Sequence, residues 1–312
     1  MTGARRARLE EPNVRNSHTR ITSTDVADEE GDVLQNVPAA RLNVFRAAAW
    51  KYYKENGRHD LPWRKTTDPY KILVSEVMLQ QTQVPRVIEK YKAFLIRFPN
   101  VRRLAGAPLS DVLKLWSGMG YNRRAKFLRE AAQTIMRGYG GRVPKAAVVL
   151  RTLPGVGPYT AGAVRVFAFN EPDTLIETNI RAAYIHFFYA SVLQKTSISD
   201  SELLPLIQKA AKGEDPREWH WALMDYGAHI KKLHKNPARR SAHYTRQSKF
   251  EGSLRQVRGA ILRALADGPQ AERSFDIYLS RRRLDKLKLG EALGGLARDG
   301  LIENKKGIWR IA

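Results

Sequence analysis

The sequence predicts an all-α protein that ends in a small α+β unit of winged-helix type. Three observations carry this expectation. Between residues 41 and 230, apolar side chains recur at spacings of three and four, and no segment alternates with period two for long. Proline and glycine punctuate that pattern at Pro62, Pro69, Pro99, Gly118, Gly140 and Pro154. Past residue 253 the pattern changes to two helical runs followed by two strand-like runs around Lys305-Lys306-Gly307.

The segments follow in order. Residues 1–40 are polar, mixed in charge and contain the acidic run Asp28, Glu29, Glu30, Asp32, which reads as a flexible tail. Leu42-Val44-Phe45-Ala48, Val87-Ile88-Tyr91-Phe94 and Val112-Leu113-Leu115-Trp116 each mark one helix face within the main domain, 41–230. Residues 231–249 carry seven Lys or Arg and no acid, and the linker 231–252 reads either as a solvated connector or as a strap facing phosphates. In 253–312, Val257, Ile261, Leu262 and Leu265 imply one helix. Leu284, Leu287, Leu289, Leu293 and Leu296 imply another, ending at Gly300, before the strands of 301–311.

Charge narrows the function. Across 312 residues, 54 Lys and Arg face 31 Asp and Glu, a formal net charge of +23. Such a balance calls for a polyanionic partner. No apolar run approaches the ~18 residues that span a bilayer, and the N-terminus lacks the apolar core of a secretory signal. The expected partner is therefore a nucleic acid and not a membrane. The expected location is cytoplasmic, on the nucleoid if the source is bacterial or archaeal. Residues 231–312 hold 20 of the basic residues against 8 acidic ones. Arg281-Arg282-Arg283, Lys286 and Lys288 point this unit at DNA too. The chain has no cysteine, which excludes disulfides and any zinc or iron–sulfur site built on thiolates. No cofactor and no metal are expected.

Leu153-Pro154-Gly155-Val156-Gly157-Pro158-Tyr159-Thr160-Ala161-Gly162 is the most specific segment. Two glycines around one small apolar residue let the backbone pass close to another surface. The N–H groups opening the next helix then face outward toward an anion. On spacing alone this is also an ordinary helix–helix turn. The segment resembles the signature of the helix-hairpin-helix DNA glycosylase superfamily, in which the hairpin grips a phosphate; by that resemblance Gly155, Val156 and Gly157 would do so here, assisted from the basic strap by Arg239 and Arg240.

Four further segments agree with this in order: Leu61-Pro62-Trp63-Arg64, Asp68-Pro69-Tyr70-Lys71, Ser75-Glu76-Val77-Met78-Leu79-Gln80-Gln81-Thr82-Gln83-Val84, and Gly118-Met119-Gly120-Tyr121-Asn122-Arg123-Arg124-Ala125, in which Asn122 replaces a tyrosine. Together they resemble the MutY-type adenine glycosylases over roughly residues 41–230. Spacing alone leaves Glu76 open between an exposed helix glutamate and a buried acid. The resemblance implies the acid, protonating the adenine ring nitrogen. It places Glu177 where the family has an aspartate facing the sugar, with Asn179 as the family's asparagine. A ~1 Å misplacement can cost about a hundredfold in rate, so the longer Glu177 implies altered geometry. Tyr159 stands where bifunctional relatives carry a Schiff-base lysine, which implies a monofunctional enzyme. Trp63, Arg64, Gln80, Gln81 and Tyr121 fall to the base pocket and to filling the gap left by a flipped nucleotide. Met224-Asp225-Tyr226-Gly227 matches the lead-in to the family's iron–sulfur ligands. Lys231 then occupies the first cysteine position, with Ala242 and Ser248 near two others, so the resemblance is to a member lacking the cluster.

The leading reading is a monofunctional DNA glycosylase that hydrolyses the N-glycosidic bond of a flipped adenine mispaired with G or 8-oxoguanine in double-stranded DNA and leaves an abasic site. A thymine, uracil or other modified-base glycosylase of the same superfamily fits Tyr159 equally, and the lack of room for an 8-oxoguanine-recognition domain favours it. A non-catalytic DNA-binding protein is the remaining alternative; carboxylates at both chemical positions speak against it. A monomer is expected, since no coiled-coil seam is evident.

Overall fold

Helix starts in this chain are set by proline and by short side chains that accept hydrogen bonds from the first free N–H groups. The computed structural model describes residues 37–192 and 196–312, so the tail reading for residues 1–36 lies outside the described residues. Within the expected tail, Val37 is buried and α1 (Ala39–Asn56) has begun by the third described residue. After a single 3-10 turn at Pro62–Arg64, Asp68 caps α2 (Pro69–Leu79), accepting from the N–H groups of Tyr70 and Lys71 at 2.9 and 3.3 Å. Next come α3 (Val84–Arg97), α4 (Val101–Ala105), α5 (Leu109–Trp116) and α6 (Arg123–Tyr139), which Gly140 ends at φ 58° in the left-handed conformation. The short α7 (Ala147–Leu150) leads through the Gly155-Val156-Gly157 turn into α8 (Pro158–Phe169). Glu177 caps α9 (Thr178–Tyr189), Ser199 and Glu202 form a capping box on α10 (Asp200–Ala211), and Asp215 caps α11 (Pro216–Leu233).

Three helix contacts place the site. Helix α2 packs along α8, α11 packs along α9, and α11 also packs on α1. Phe45 of α1 joins them, with its ring centroid 4.7 Å from Tyr184 and 6.2 Å from Trp219. Such aromatic pairs add ~0.5–1.5 kcal/mol each beyond their buried area. Helix α11 runs to Leu233, so Lys231 and Lys232 are its last turn and not the start of a linker.

The C-terminal unit orders α12 (Leu254–Ala266), β1 (Gln270–Ala271), α13 (Glu272–Arg281), α14 (Leu289–Arg298), β2 (Ile302–Lys305) and β3 (Ile308–Ile311). Both expected strands are present, pairing antiparallel from Ile302 opposite Ile311 to Lys305 opposite Ile308. Lys306 and Gly307 turn between them at φ 52° and 81°, the left-handed pair that a twisted two-residue hairpin requires. The brief β1 completes the sheet in the order β1-β3-β2. Leu287 does not join the helix face that its spacing suggested. It is 96% exposed in a 3-10 turn whose N–H groups Asp285 caps, and α14 starts only at Leu289. Helix α12 packs on α5, so the apolar core is continuous between the two parts. Among the described residues, no helix is long and apolar enough to cross a membrane.

Asp225 of α11 ties this core to the 58–64 segment. Its carboxylate is 2% exposed and accepts two hydrogen bonds from Arg64, at 2.7 and 2.9 Å, and two from Arg58, from the backbone N–H at 2.8 Å and Nε at 2.6 Å. Burial alone would raise the carboxyl; the hydrogen bonds and charge of Arg64, joined by Arg58, outweigh it and hold it below the usual range. Asp225→Ala leaves the Arg64 guanidinium buried without its partner and is expected to cost about 3–5 kcal/mol in urea denaturation. A depressed carboxyl stabilises the fold above its unfolded pKa and loses that contribution as pH falls through the folded one. The variant should therefore show a flatter loss of stability on acidification.

Candidate active site

The site gathers side chains from three helix segments. Glu76 lies in the last turns of α2, Tyr159 in the first turn of α8, and Glu177 at the N-cap of α9. Packing of α2 on α8 brings the first two together, and Gln80 Nε2 donates to Thr160 Oγ1 at 3.2 Å across the same seam. The packing brings Glu76, Tyr159, Glu177 and Asn179 to one place: the carboxylates act on each other and on the Tyr159 phenol, and the Asn179 amide donates to Glu177.

The two carboxylates sit in different environments. Glu76 is 6% exposed, among the buried Leu73, Val77 and Met78, so the exposed-glutamate alternative is set aside. Burial, reinforced by the charge of Glu177 and opposed by Arg64, pushes its carboxyl up to about 8. Glu177 is half-buried and richly hydrogen-bonded. Its Oε1 accepts the backbone N–H groups of Asn179 and Ile180 at 2.8 and 2.9 Å, and Oε2 accepts the Asn179 side-chain amide at 3.1 Å. Burial raises its carboxyl above the ordinary carboxylate range, and those N–H groups and the charges of Lys231 and Arg181 offset that rise only in part. Burial and then the two carboxylates drive the Tyr159 phenol well above its ordinary value. Tyr159 therefore stays protonated and serves as a hydroxyl donor rather than a base.

Arg124, which sequence reasoning passed over, fixes the neighbouring surface. Its buried guanidinium donates to the carbonyls of Val77 and Met78 at 2.8 and 3.1 Å, to Thr82 Oγ1 at 3.0 Å, and to the carbonyls of Met119 and Gly120 at 3.3 and 3.2 Å. It joins the end of α2 to the turn bearing Tyr121. Gln81 and Tyr121 are both non-glycine residues at positive φ, 52° and 46°. That conformation costs of order 1–3 kcal/mol and persists where surroundings enforce it. The Tyr121 hydroxyl accepts hydrogen bonds from Gln247 and Arg255 at 2.7 and 2.9 Å, reaching over from the C-terminal side.

Gln80, Gln81, Tyr121 and Gly155 line a cleft of about 1660 Å³ between the helical domain and the C-terminal unit, with Arg123 and Arg255 on its walls. Glu76 and Glu177 are not among the residues that line it. Gly155 adopts φ 74°, and a Cβ there would come within 2.7 Å of the Phe127 Cβ; Val156 is buried. The remaining sequence-predicted residues have separate places. Trp63 is buried edge-on to Tyr91, 5.6 Å between centroids. Arg64 is committed to Asp225 and reaches Glu76 only through its charge. Arg240 donates to the carbonyls of Tyr189 and Val192, capping the end of α9, while Arg239 is exposed. An iron–sulfur cluster does not fit this chain: it has no cysteine, and the Lys231 ammonium bonds Asn179.

Residues 74–213 match the family described as HhH-GPD superfamily base excision DNA repair protein. The chain is 33% identical over 268 residues to the adenine DNA glycosylase of Mycolicibacterium smegmatis, with 80% of this chain and 89% of that protein covered. The chain belongs to the HhH-GPD superfamily. Within it, the chain is 34% identical over 187 residues to the adenine DNA glycosylase of Buchnera aphidicola subsp. Acyrthosiphon pisum, covering 60% of this chain and 53% of that one. It thus spans about half the length of the latter. Among solved structures, a thermostable thymine-DNA glycosylase superposes with a TM-score of 0.53 at 28% identity, over 61% of this chain and 87% of that one. An endonuclease III–DNA covalent intermediate shares the fold, with a TM-score of 0.51 at 18% identity over 69% and 92% of the two chains.

Arg124→Lys replaces a planar fork by a single ammonium that cannot serve both sets of carbonyls. Thermal denaturation should show a loss of about 1–3 kcal/mol from the unsatisfied carbonyls.

Proposed function

We propose that the chain is a monofunctional DNA glycosylase that excises a mispaired adenine and leaves an abasic site. The observation that carries this is the division of labour between two neighbouring carboxyls. Glu76, held protonated by burial, is the general acid for the departing base; Glu177, held by N–H donors, supplies negative charge to the oxocarbenium-like sugar. Similarity to adenine DNA glycosylases covering 89% of one relative supports adenine as the base. Tyr159, in place of an amine, supports hydrolysis without strand cleavage. Gln81 and Tyr121, forced into strained conformations beside the cleft, are suited to hold open the stack from which the nucleotide is flipped.

The partner in this reading is duplex DNA, gripped at phosphate by the Gly155-Val156-Gly157 turn and the exposed Arg239, with the C-terminal unit acting as a winged helix on the flanking backbone. A monomer suffices, because the carboxylates, the hairpin and the cleft all belong to one chain. The 28% identity to a thymine-DNA glycosylase supports a second reading, excision of thymine from a mismatch by the same residues.

Single-turnover excision on labelled duplexes carrying A opposite 8-oxoguanine, A opposite G, T opposite G and U opposite G, followed by alkali, separates the readings. Adenine release that Glu76→Gln abolishes is the expected result; thymine or uracil release selects the second reading. The rate should fall as pH rises through about 8, where Glu76 loses the proton it must donate. Folding stability should fall as pH rises from 4.5, the ordinary carboxyl value, to about 8, because over that range the folded state holds a proton that the unfolded chain has released. Glu76→Gln should remove that slope.

A further inference from the structure

Gly227 and Lys231 lie one turn apart on α11 and so share a face. At Gly227 the α11 backbone touches the start of α9: an added Cβ would lie 1.9 Å from the Asn179 carbonyl oxygen. That approach delivers Lys231 behind the active site, where its Nζ donates to Asn179 Oδ1 at 3.2 Å. The Asn179 amide then has one orientation, oxygen toward the ammonium and Nδ2 toward Glu177 Oε2. Turned over, it would set NH2 against NH3+ and its oxygen against a carboxylate. We propose that Lys231 is a positioning residue for the excision reaction, orienting the Asn179 amide and through it holding the Glu177 carboxylate ionised and aimed at the sugar.

The inference rests on the glycosylase reading above. The groups facing Glu177 leave Lys231 a distinct part. Arg181, from the same helix, is tied to Asp200 by two hydrogen bonds of 2.7 Å. Glu76, from α2, opposes ionisation of Glu177 whenever it is itself charged, and the protonated Tyr159 of α8 is neutral. Removing the ammonium leaves burial less opposed, so the Glu177 carboxyl should titrate at higher pH.

The test compares single-turnover excision against pH for the full-length wild type, Lys231→Met and Lys231→Arg. Lys231→Met is expected to slow excision at neutral pH about tenfold and to move the acid limb of the profile upward by about one unit. Lys231→Arg keeps charge and donor and should leave the limb in place. A guanidinium forms no imine with the sugar, so that result also separates positioning from an amine nucleophile. Carboxyl 13C NMR of glutamate-labelled protein, with Glu177 assigned through Glu177→Gln, reads the same shift without turnover; Lys231→Gln replaces the methionine variant if that one does not fold. A Glu177 titration unmoved in Lys231→Met overturns the proposal whatever the activity, as does an equal shift in Lys231→Arg. A wild type inactive on every duplex, with the titration moved as expected, overturns the glycosylase reading instead.

Discussion

The carbonyl groups at the C-terminal end of α2 have no partner within their own helix, and one buried guanidinium satisfies them. Arg124 donates to Val77, Met78 and Gly120, so the helix end carrying Glu76 and the turn carrying Tyr121 form one rigid piece. Burial lowers Arg124 to about 10, still well above neutrality, so the group stays charged while it does this. The strained backbones of Gln81 and Tyr121 flank the same guanidinium, which stacks 5.6 Å from the Tyr121 ring. The turn bearing Tyr121 and the helix end bearing the buried Glu76 are therefore set by a single guanidinium.

From that anchor, the fold places two chemically alike groups in unlike surroundings. Glu76 points from the side of a helix into apolar neighbours, where the charge of Arg64 offsets burial only in part. Glu177 sits at a helix start, where N–H groups and the helix dipole offset part of the cost of burying a charge. The extra methylene of Glu177 does not leave its carboxylate loose: the chain folds back and caps its own helix through Oε1.

Several features were legible in the sequence because they are local. The Gly-Val-Gly turn is visible because only a residue without Cβ tolerates φ 74° against Phe127. The helix starts at Pro69, Pro158 and Pro216 are visible because proline and its preceding cap act within one turn. Lys306-Gly307 announces its hairpin for a similar reason. Leu287 shows where periodicity failed: its spacing matches an apolar face, but the Asp285 cap delays the helix and leaves it in water.

What the sequence alone determined was the helical class, the basic character that selects a polyanion, the absence of thiolate ligands, and the residue types in each motif. Tertiary structure alone decided which charges meet. Arg64 and Asp225 are 161 residues apart, Arg124 and Val77 47, Lys231 and Asn179 52. Whether Glu76 is a surface glutamate or an acid near 8 depends on α8 and α9 closing over it, and whether Arg240 faces phosphate or caps α9 depends on where that helix ends. Periodicity and propensity act over a few residues. Burial and Coulomb forces act through space, and only the packed chain sets those distances.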